Sequence, residues 1–198
     1  MTDMRNQPEV YGLGLGLRPW DVADAAVLLR GVTDPEFRRW NTVRRPVTDL
    51  ESARAAIERR AEAWRRDELA QFAVLEDGAV VGGVGITRID RHMRRSGVGY
   101  WVLPERRRRG IATRALELCS RWAFEQENLH RIELGHALEN AGSCRVAERC
   151  GYLYEGTRRG AMHQAQRIGT YRDQHLHARL ASDAYPEVDQ PCPPRPGA

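Results

Sequence analysis

The clearest chemical spacing in this chain is Arg107-x-x-Gly110-x-Ala112, inside Pro104-Glu105-Arg106-Arg107-Arg108-Arg109-Gly110-Ile111-Ala112-Thr113. It sits between a strand-like run, Gly97 to Leu103, and a helical pattern that starts near Ile111. A strand, a tight basic turn and a helix N-terminus together suit a phosphate. The first amides of a helix have no partner inside it and point out of its positive end. Gly110 lets the backbone approach an anion, and the four arginines add charge. No Gly-Lys-Ser/Thr follows, and G-x-G-x-x-G is absent, so neither a Walker loop nor a dinucleotide fingerprint is present. The plain alternative is a solvated arginine turn ahead of a surface helix.

The elements that must position this turn read as follows. Leu15 to Pro19 is a first strand. Asp21 to Leu29 is a helix with Val22, Ala25, Ala26 and Leu29 on one face, and Asp34 to Trp40 a short second one. Thr48 with Glu51 makes a capping box for a helix to about Arg66. Gln71 to Glu76 and Val80 to Ile89 are strands joined at Asp77-Gly78, and Ser96 to Leu103 is the next. Ile111, Ala115, Leu118, Cys119 and Trp122 line one face of a long helix ending near Asn128. Arg131 to His136 is a strand, and Asn140 to Arg149 a helix stopped by Gly151. Tyr152 to Arg158 and Tyr171 to Leu180 are the last strands. This order predicts an α/β (α+β) fold, with a mixed, mostly antiparallel sheet of six to seven strands flanked by helices. The long helix links two strands that run parallel.

A chain of 198 residues is expected to form one domain with a sizeable core. The expected division is an N-terminal extension over 1–13, a domain over 14–182 and a disordered tail over 183–198, where five prolines follow Tyr185. The net charge of +4 and the pI near 9.1 suit anionic ligands without requiring nucleic acid. No recognition helix or aromatic platform points to DNA. No run is long and apolar enough to span a membrane, and residues 1–10 lack the apolar core of a signal peptide, so a cytoplasmic protein is expected. Cys119, Cys144, Cys150 and Cys192 form no C-x-x-C pair and have no histidines at zinc spacing, so no metal is expected.

The chain resembles the GNAT (Gcn5-related N-acetyltransferase) superfamily, and within it the RimJ/RimL branch of ribosomal-protein alanine N-acetyltransferases. The likeness runs from about Gly14 to Ser182. It rests on Leu17-Arg18-Pro19, Val98-Gly99-Tyr100-Trp101-Val102, Arg107-x-x-Gly110-Ile111-Ala112-Thr113 and His130-Arg131-Ile132-Glu133. It continues in Glu139-Asn140-x-x-Ser143, Glu148-Arg149-Cys150-Gly151-Tyr152, Glu155-Gly156 and Tyr171-Arg172-Asp173.

The resemblance implies acetyl-coenzyme A as co-substrate and a sheet splayed between Ser96–Leu103 and Arg131–His136. The pantetheine arm would lie in that gap along Trp101, Val102 and Leu103. Arg107, Arg108, Arg109, Gly110, Ile111, Ala112 and Thr113 would hold the pyrophosphate, and Asn140 would bond the arm. Arg108 stands where the family usually has glycine. Ser143 would protonate the leaving thiolate, because RimL-like members carry serine there. Ala147 occupies the position where other members place a tyrosine acid, and Met162 the position of the RimL-like glutamate base.

The candidate bases are Glu133, which either relays protons through water or is a strand residue paired with an arginine, and His136 at the end of the splayed strand. Asp173, His175 and His177 alternate on one strand face, which suggests a polar pocket, a His–Asp pair, a metal site or simply a half-exposed face. Gly135 either widens the acceptor site or marks a bulge. Trp40, Asn41, Arg44, Arg45 and Pro46 fall where the resemblance places the substrate-side helices and loop, and they either contact an acidic or peptide acceptor or form a solvated loop with Trp40 packed inward.

Direct attack of an amine on the thioester needs little covalent chemistry from the protein, and a strand amide near Val102 could stabilise the oxyanion. The expected acceptor is a protein or peptide N-terminus. The alternatives are a small amine (an antibiotic, a polyamine or an amino-acid derivative) and a non-catalytic module that binds coenzyme A. A homodimer is an expected assembly.

Overall fold

The computed structural model describes residues 6–41, 45–165 and 167–188. One sheet organises the chain, with strands β1 (Val10–Gly12), β2 (Leu15–Pro19), β3 (Leu69–Glu76), β4 (Ala79–Asp90), β5 (Arg95–Val102), β6 (Arg131–Ala137), β7 (Leu153–Gln164) and β8 (Arg167–Leu180). Their order across the sheet is β1-β2-β3-β4-β5-β6-β8-β7. Eight strands replace the expected six to seven, because Val10–Gly12 turns back on Leu15–Leu17 as a short edge strand. Three residues are too few to show an alternating pattern.

All neighbours are antiparallel except β5 and β6. The β3–β4 turn carries Asp77 at φ 52 and Gly78 at φ 76, the left-handed pair that a two-residue hairpin requires.

The helices are α1 (Ala25–Thr33), α2 (Pro35–Trp40), α3 (Leu50–Arg65), α4 (Ile111–Glu125) and α5 (Ala141–Arg149). Asp21 to Leu29 is not one helix: a 3-10 turn over Val22–Asp24 precedes α1, capped by Asp21. The α3 capping box falls one residue later than Thr48/Glu51. Asp49 accepts from Ser52 N at 2.7 Å, and Ser52 Oγ accepts from Asp49 N at 3.1 Å.

The main core lies between α4 and the sheet. The predicted α4 face is buried, with Trp122 edge-on to Phe72 at 5.0 Å. A second core packs α1 and α3 against the opposite face, around Trp20, Leu28 and Ile57. Here Gly31 lets α1 close on Trp101, whose ring would lie 2.0 Å from a Cβ.

Arg179 of β8 and Glu117 of α4 form an ion pair with both side chains fully buried, and Arg121 adds a second bond to Glu117 at 2.7 Å. Tyr185 stacks on Arg179 at 5.2 Å and donates to Glu125 at 2.8 Å. Tyr185 of the expected tail is therefore docked on α4, and residues 189–198, with Cys192, lie outside the described residues. No helix among the described residues is long and apolar enough to cross a membrane.

Removing one partner of a buried pair strands the other charge. Glu117→Ala should cost about 3–5 kcal/mol, read from urea unfolding. A loss below about 1 kcal/mol would mean that Arg179 is satisfied without Glu117.

Candidate active site

β5 and β6 pair only where Arg95, Ser96 and Gly97 face Arg131, Ile132 and Glu133. Beyond Gly97 they part, and a cleft of about 830 Å³ opens between them. Its floor includes Tyr100, Trp101 and Val102 of β5 and Leu134, Gly135 and His136 of β6. The basic turn with the start of α4 closes one side, and α5 another.

Val102 presents a donor to this cleft. Leu103 N donates to Val81 O at 2.9 Å, toward β4. Backbone groups alternate along a strand, so the Val102 N–H turns to the gap. The Val102 carbonyl already accepts from Arg107 Nε at 3.1 Å. Leu103, expected along the pantetheine arm, is therefore corrected: it is buried and spends its amide inside the sheet.

The basic turn divides its charge unexpectedly. Arg107 is not an anion ligand through its side chain, because its guanidinium pairs with Asp34, which also caps α2 through Phe37 N. Arg109 turns away from the cleft to Glu76 at 3.2 Å, where Arg114 at 3.0 Å and Arg106 at 3.8 Å also converge. These contacts anchor the turn. Among the described residues, Arg108 is the one arginine of the four without a carboxylate partner. It is exposed and has φ 63, the left-handed conformation of the glycine expected there. Arg108 thus keeps the loop's path at a cost of about 1–2 kcal/mol.

Gly110, at φ 73, caps α4 with no side-chain bond to the first turn and no atom within 4 Å of where a Cβ would stand. The amides of Ile111, Ala112 and Thr113 thus begin α4 beside the cleft without a capping side chain. This is a cradle for an anion.

Across the cleft, Asn140 caps α5, its Oδ1 accepting from Ser143 N at 3.0 Å. Ser143 Oγ lies 2.8 Å from Tyr100 Oη. Burial pushes the Tyr100 hydroxyl well above its ordinary pKa, while its bond to Ser143 works the other way. Tyr100 therefore stays protonated at neutral pH and is held in a hydrogen bond with Ser143. It appeared in the sequence only as part of a strand motif, since its partner is 43 residues away.

Glu133 is not a cleft residue, which corrects its candidacy as a base. It bonds Arg131 at 3.0 Å and Arg158 at 3.1 Å, at the paired end of β6. Burial raises its pKa, but these two bonds outweigh that and hold it below the ordinary range. His136 does line the cleft, and so does Met162, at the position of the RimL-like glutamate. Gly135 marks no bulge, since β6 keeps one register with β8 from Arg131 to Ala137. Asp173 accepts from Gly160 N at 2.8 Å and makes no pair with a histidine.

A second cavity of about 750 Å³ shares Phe37, Asn41, Gly99, Tyr100 and Trp101 with the cleft. Arg38, Arg45, Arg59 and Arg60 line it, and its described lining holds no carboxylate. Arg60 has one buried guanidinium nitrogen without a bond, and burial lowers its pKa to about 10. Of the expected acceptor residues, Asn41, Arg45 and Pro46 line this cavity, and Trp40 lines the cleft with Asn41. Arg44 lies outside the described residues.

Residues 14–153 match the acetyltransferase (GNAT) domain family. YjcK of Bacillus subtilis (strain 168), named as an N-acetyltransferase, is 30% identical over 75% of this chain and 85% of its own length. YdaF of the same organism, whose name describes ribosomal N-acetylation, is 32% identical over 50% of this chain, and the match spans 57% of YdaF. The structure of Mycobacterium smegmatis RimJ in complex with CoA-disulfide superposes with a TM-score of 0.80 at 27% identity. It covers 92% of this chain and 90% of that one.

Glu133→Gln separates an ion pair from a base. The folded-state pKa lies below the ordinary 4.5, so the pair's contribution is full above 4.5 and is lost as pH falls through the folded value. The variant should lose about 1–2 kcal/mol at pH 7, converge with the parent in acid unfolding, and keep its acetyl-transfer rate. A large loss of rate at unchanged stability would restore Glu133 as a base.

Proposed function

Because the chain belongs to the GNAT acetyltransferase family, we propose that it transfers the acetyl group of acetyl-coenzyme A to the α-amine of a protein or peptide whose first residues are acidic. The arginine-lined cavity that meets the cleft at Tyr100 carries this reading. Four guanidinium groups without a facing carboxylate attract an anionic acceptor and repel a polycation. That favours a peptide N-terminus over a polyamine.

The residues present fit the co-substrate. The uncapped start of α4, the open space at Gly110 and the exposed Arg108 suit a pyrophosphate. The parted strands suit an extended arm, which the Val102 N–H and Asn140 would bond. When bound, acetyl-coenzyme A supplies the thioester. The chain would align the amine with it, a β5 amide near Val102 would stabilise negative charge on the carbonyl oxygen, and the Ser143 hydroxyl, held by Tyr100, would supply the proton for the thiolate.

The positive acceptor cavity also favours the uncharged amine over the ammonium ion, so its field can do part of a base's work. That accommodates Met162 where RimL-like enzymes have glutamate.

Thiol release from acetyl-coenzyme A should be measured with peptides carrying acidic or basic residues after the first, and with spermidine. Acidic peptides should be preferred roughly tenfold or more in kcat/KM. Preference for spermidine or basic peptides would overturn the acceptor class. Tyr100→Phe and Ser143→Ala should each lower kcat about 100-fold with little change in acceptor KM. Full activity in both would remove the pair from the proton path.

A further inference from the structure

We propose that His136, Cys144, His175 and His177 form a binding site for a divalent ion of the zinc class, tying the first turn of α5 to the sheet behind the cleft. The four offer ligand atoms that all lie within 4.8 Å of one another. They come from three elements: His136 from β6, His175 and His177 from β8, and Cys144 from α5. His136 faces His175 directly across the β6–β8 ladder, and His177 lies two residues on, so the three rings share one sheet face. The His136 and His177 rings stack at 5.1 Å between centroids, and His175 meets His136 edge-on at 5.5 Å.

The tautomers point the lone pairs inward. His136 Nδ1 donates to Ala137 O at 2.8 Å, which leaves Nε2 as an acceptor, and that Nε2 is buried with no partner. His177 Nδ1 donates to Tyr152 O at 3.3 Å, which turns its Nε2 to Cys144 Sγ at 3.8 Å. His175 Nδ1 is buried and also without a partner. Backbone carbonyls that fix the outer nitrogen of a histidine while the inner one stays bare are the usual outer shell of a metal ligand.

A buried lone pair without a donor is costly, and two of them beside a thiol make a site that a cation completes. Three imidazoles and one thiolate match the donor preference of zinc. Tetrahedral bonds of about 2.0 and 2.3 Å put such donors roughly 3.3–3.5 Å apart, so donor atoms that all lie within 4.8 Å of one another need close by only about an ångström. Cys144 Sγ and His177 Nε2, at 3.8 Å, lie near that spacing. Glu148 Oε1 accepts a hydrogen bond from the Cys144 thiol at 3.4 Å in the metal-free state, and the thiol gives its proton up on binding. His136 lines the cleft and Cys144 is only partly covered, so an ion can enter from that side.

The consequence for the active site is positional. Cys144 follows Ser143, so a bound ion would fix the α5 turn that presents Ser143 to Tyr100. It would also take the His136 lone pair, so His136 would then be a ligand and not a proton acceptor.

The test uses the untagged full chain, stripped with a chelator and titrated with Co²⁺ and then Zn²⁺. One equivalent of Co²⁺ should give tetrahedral d–d bands with a thiolate-to-cobalt charge-transfer band, and Zn²⁺ should bleach both and raise Tm. Cys144→Ser should lose the charge-transfer band and bind Zn²⁺ roughly tenfold or more weakly, as should His177→Gln. Cys192→Ser should keep the parent spectrum. No stoichiometric cobalt spectrum in the parent, or one that both Cys144→Ser and His177→Gln retain, would overturn the proposal.

Discussion

β5 and β6 share three paired positions and then diverge, and beyond that point each strand has backbone groups with no strand to receive them. That geometry is a standing demand for hydrogen bonds. It is also what makes a site in an otherwise continuous sheet. α4, packed across the sheet by Trp122 and its neighbours, carries the chain from the end of β5 to the start of β6. That connection sets its uncapped N-terminus beside the mouth of the gap.

The basic turn shows why a charge count is a poor guide to a binding site. Four arginines precede Gly110, yet Arg106, Arg107 and Arg109 are spent on Glu76 and Asp34. Those contacts hold the loop, α2 and the end of β5 in place. What remains for an anion is backbone, plus Arg108 in the conformation glycine would adopt more cheaply. More positive charge sits elsewhere, in Arg38, Arg45, Arg59 and Arg60 around the second cavity, whose described lining holds no carboxylate.

Periodicity made the long-range plan legible. The α4 face, the Asp77-Gly78 hairpin, the Gly151 stop and the parallel pair around α4 all follow from local pattern, because each repeats or terminates within a few residues. The Asp49/Ser52 cap escaped the reading because Thr48 and Asp49 can both cap, and only the extended backbone at Asp49 chooses between them. Tyr100 was invisible for a different reason: its chemistry lies in a contact with Ser143 across the cleft. Of the four metal-ligand candidates, His175 and His177 were legible as alternating residues on one strand, but no spacing rule joins them to His136 and Cys144. His136 and Cys144 sit on consecutive elements, but the other two donors arrive through β8 pairing beside β6. Of the ion pairs of Glu133, the one with Arg131 is local, two residues away on β6, whereas the one with Arg158 of β7 lies outside any local window.

The central claim is that the start of α4 and the parted strands together hold a pyrophosphate-bearing thioester. Calorimetric titration of acetyl-coenzyme A against acetyl-pantetheine, which has the arm and the thioester but no pyrophosphate, tests it most directly. Affinity at least tenfold weaker for acetyl-pantetheine, with the difference shrinking in high salt, is the expected result. Equal affinity for the two would show that the α4 N-terminus and its arginine turn take no part in holding the donor.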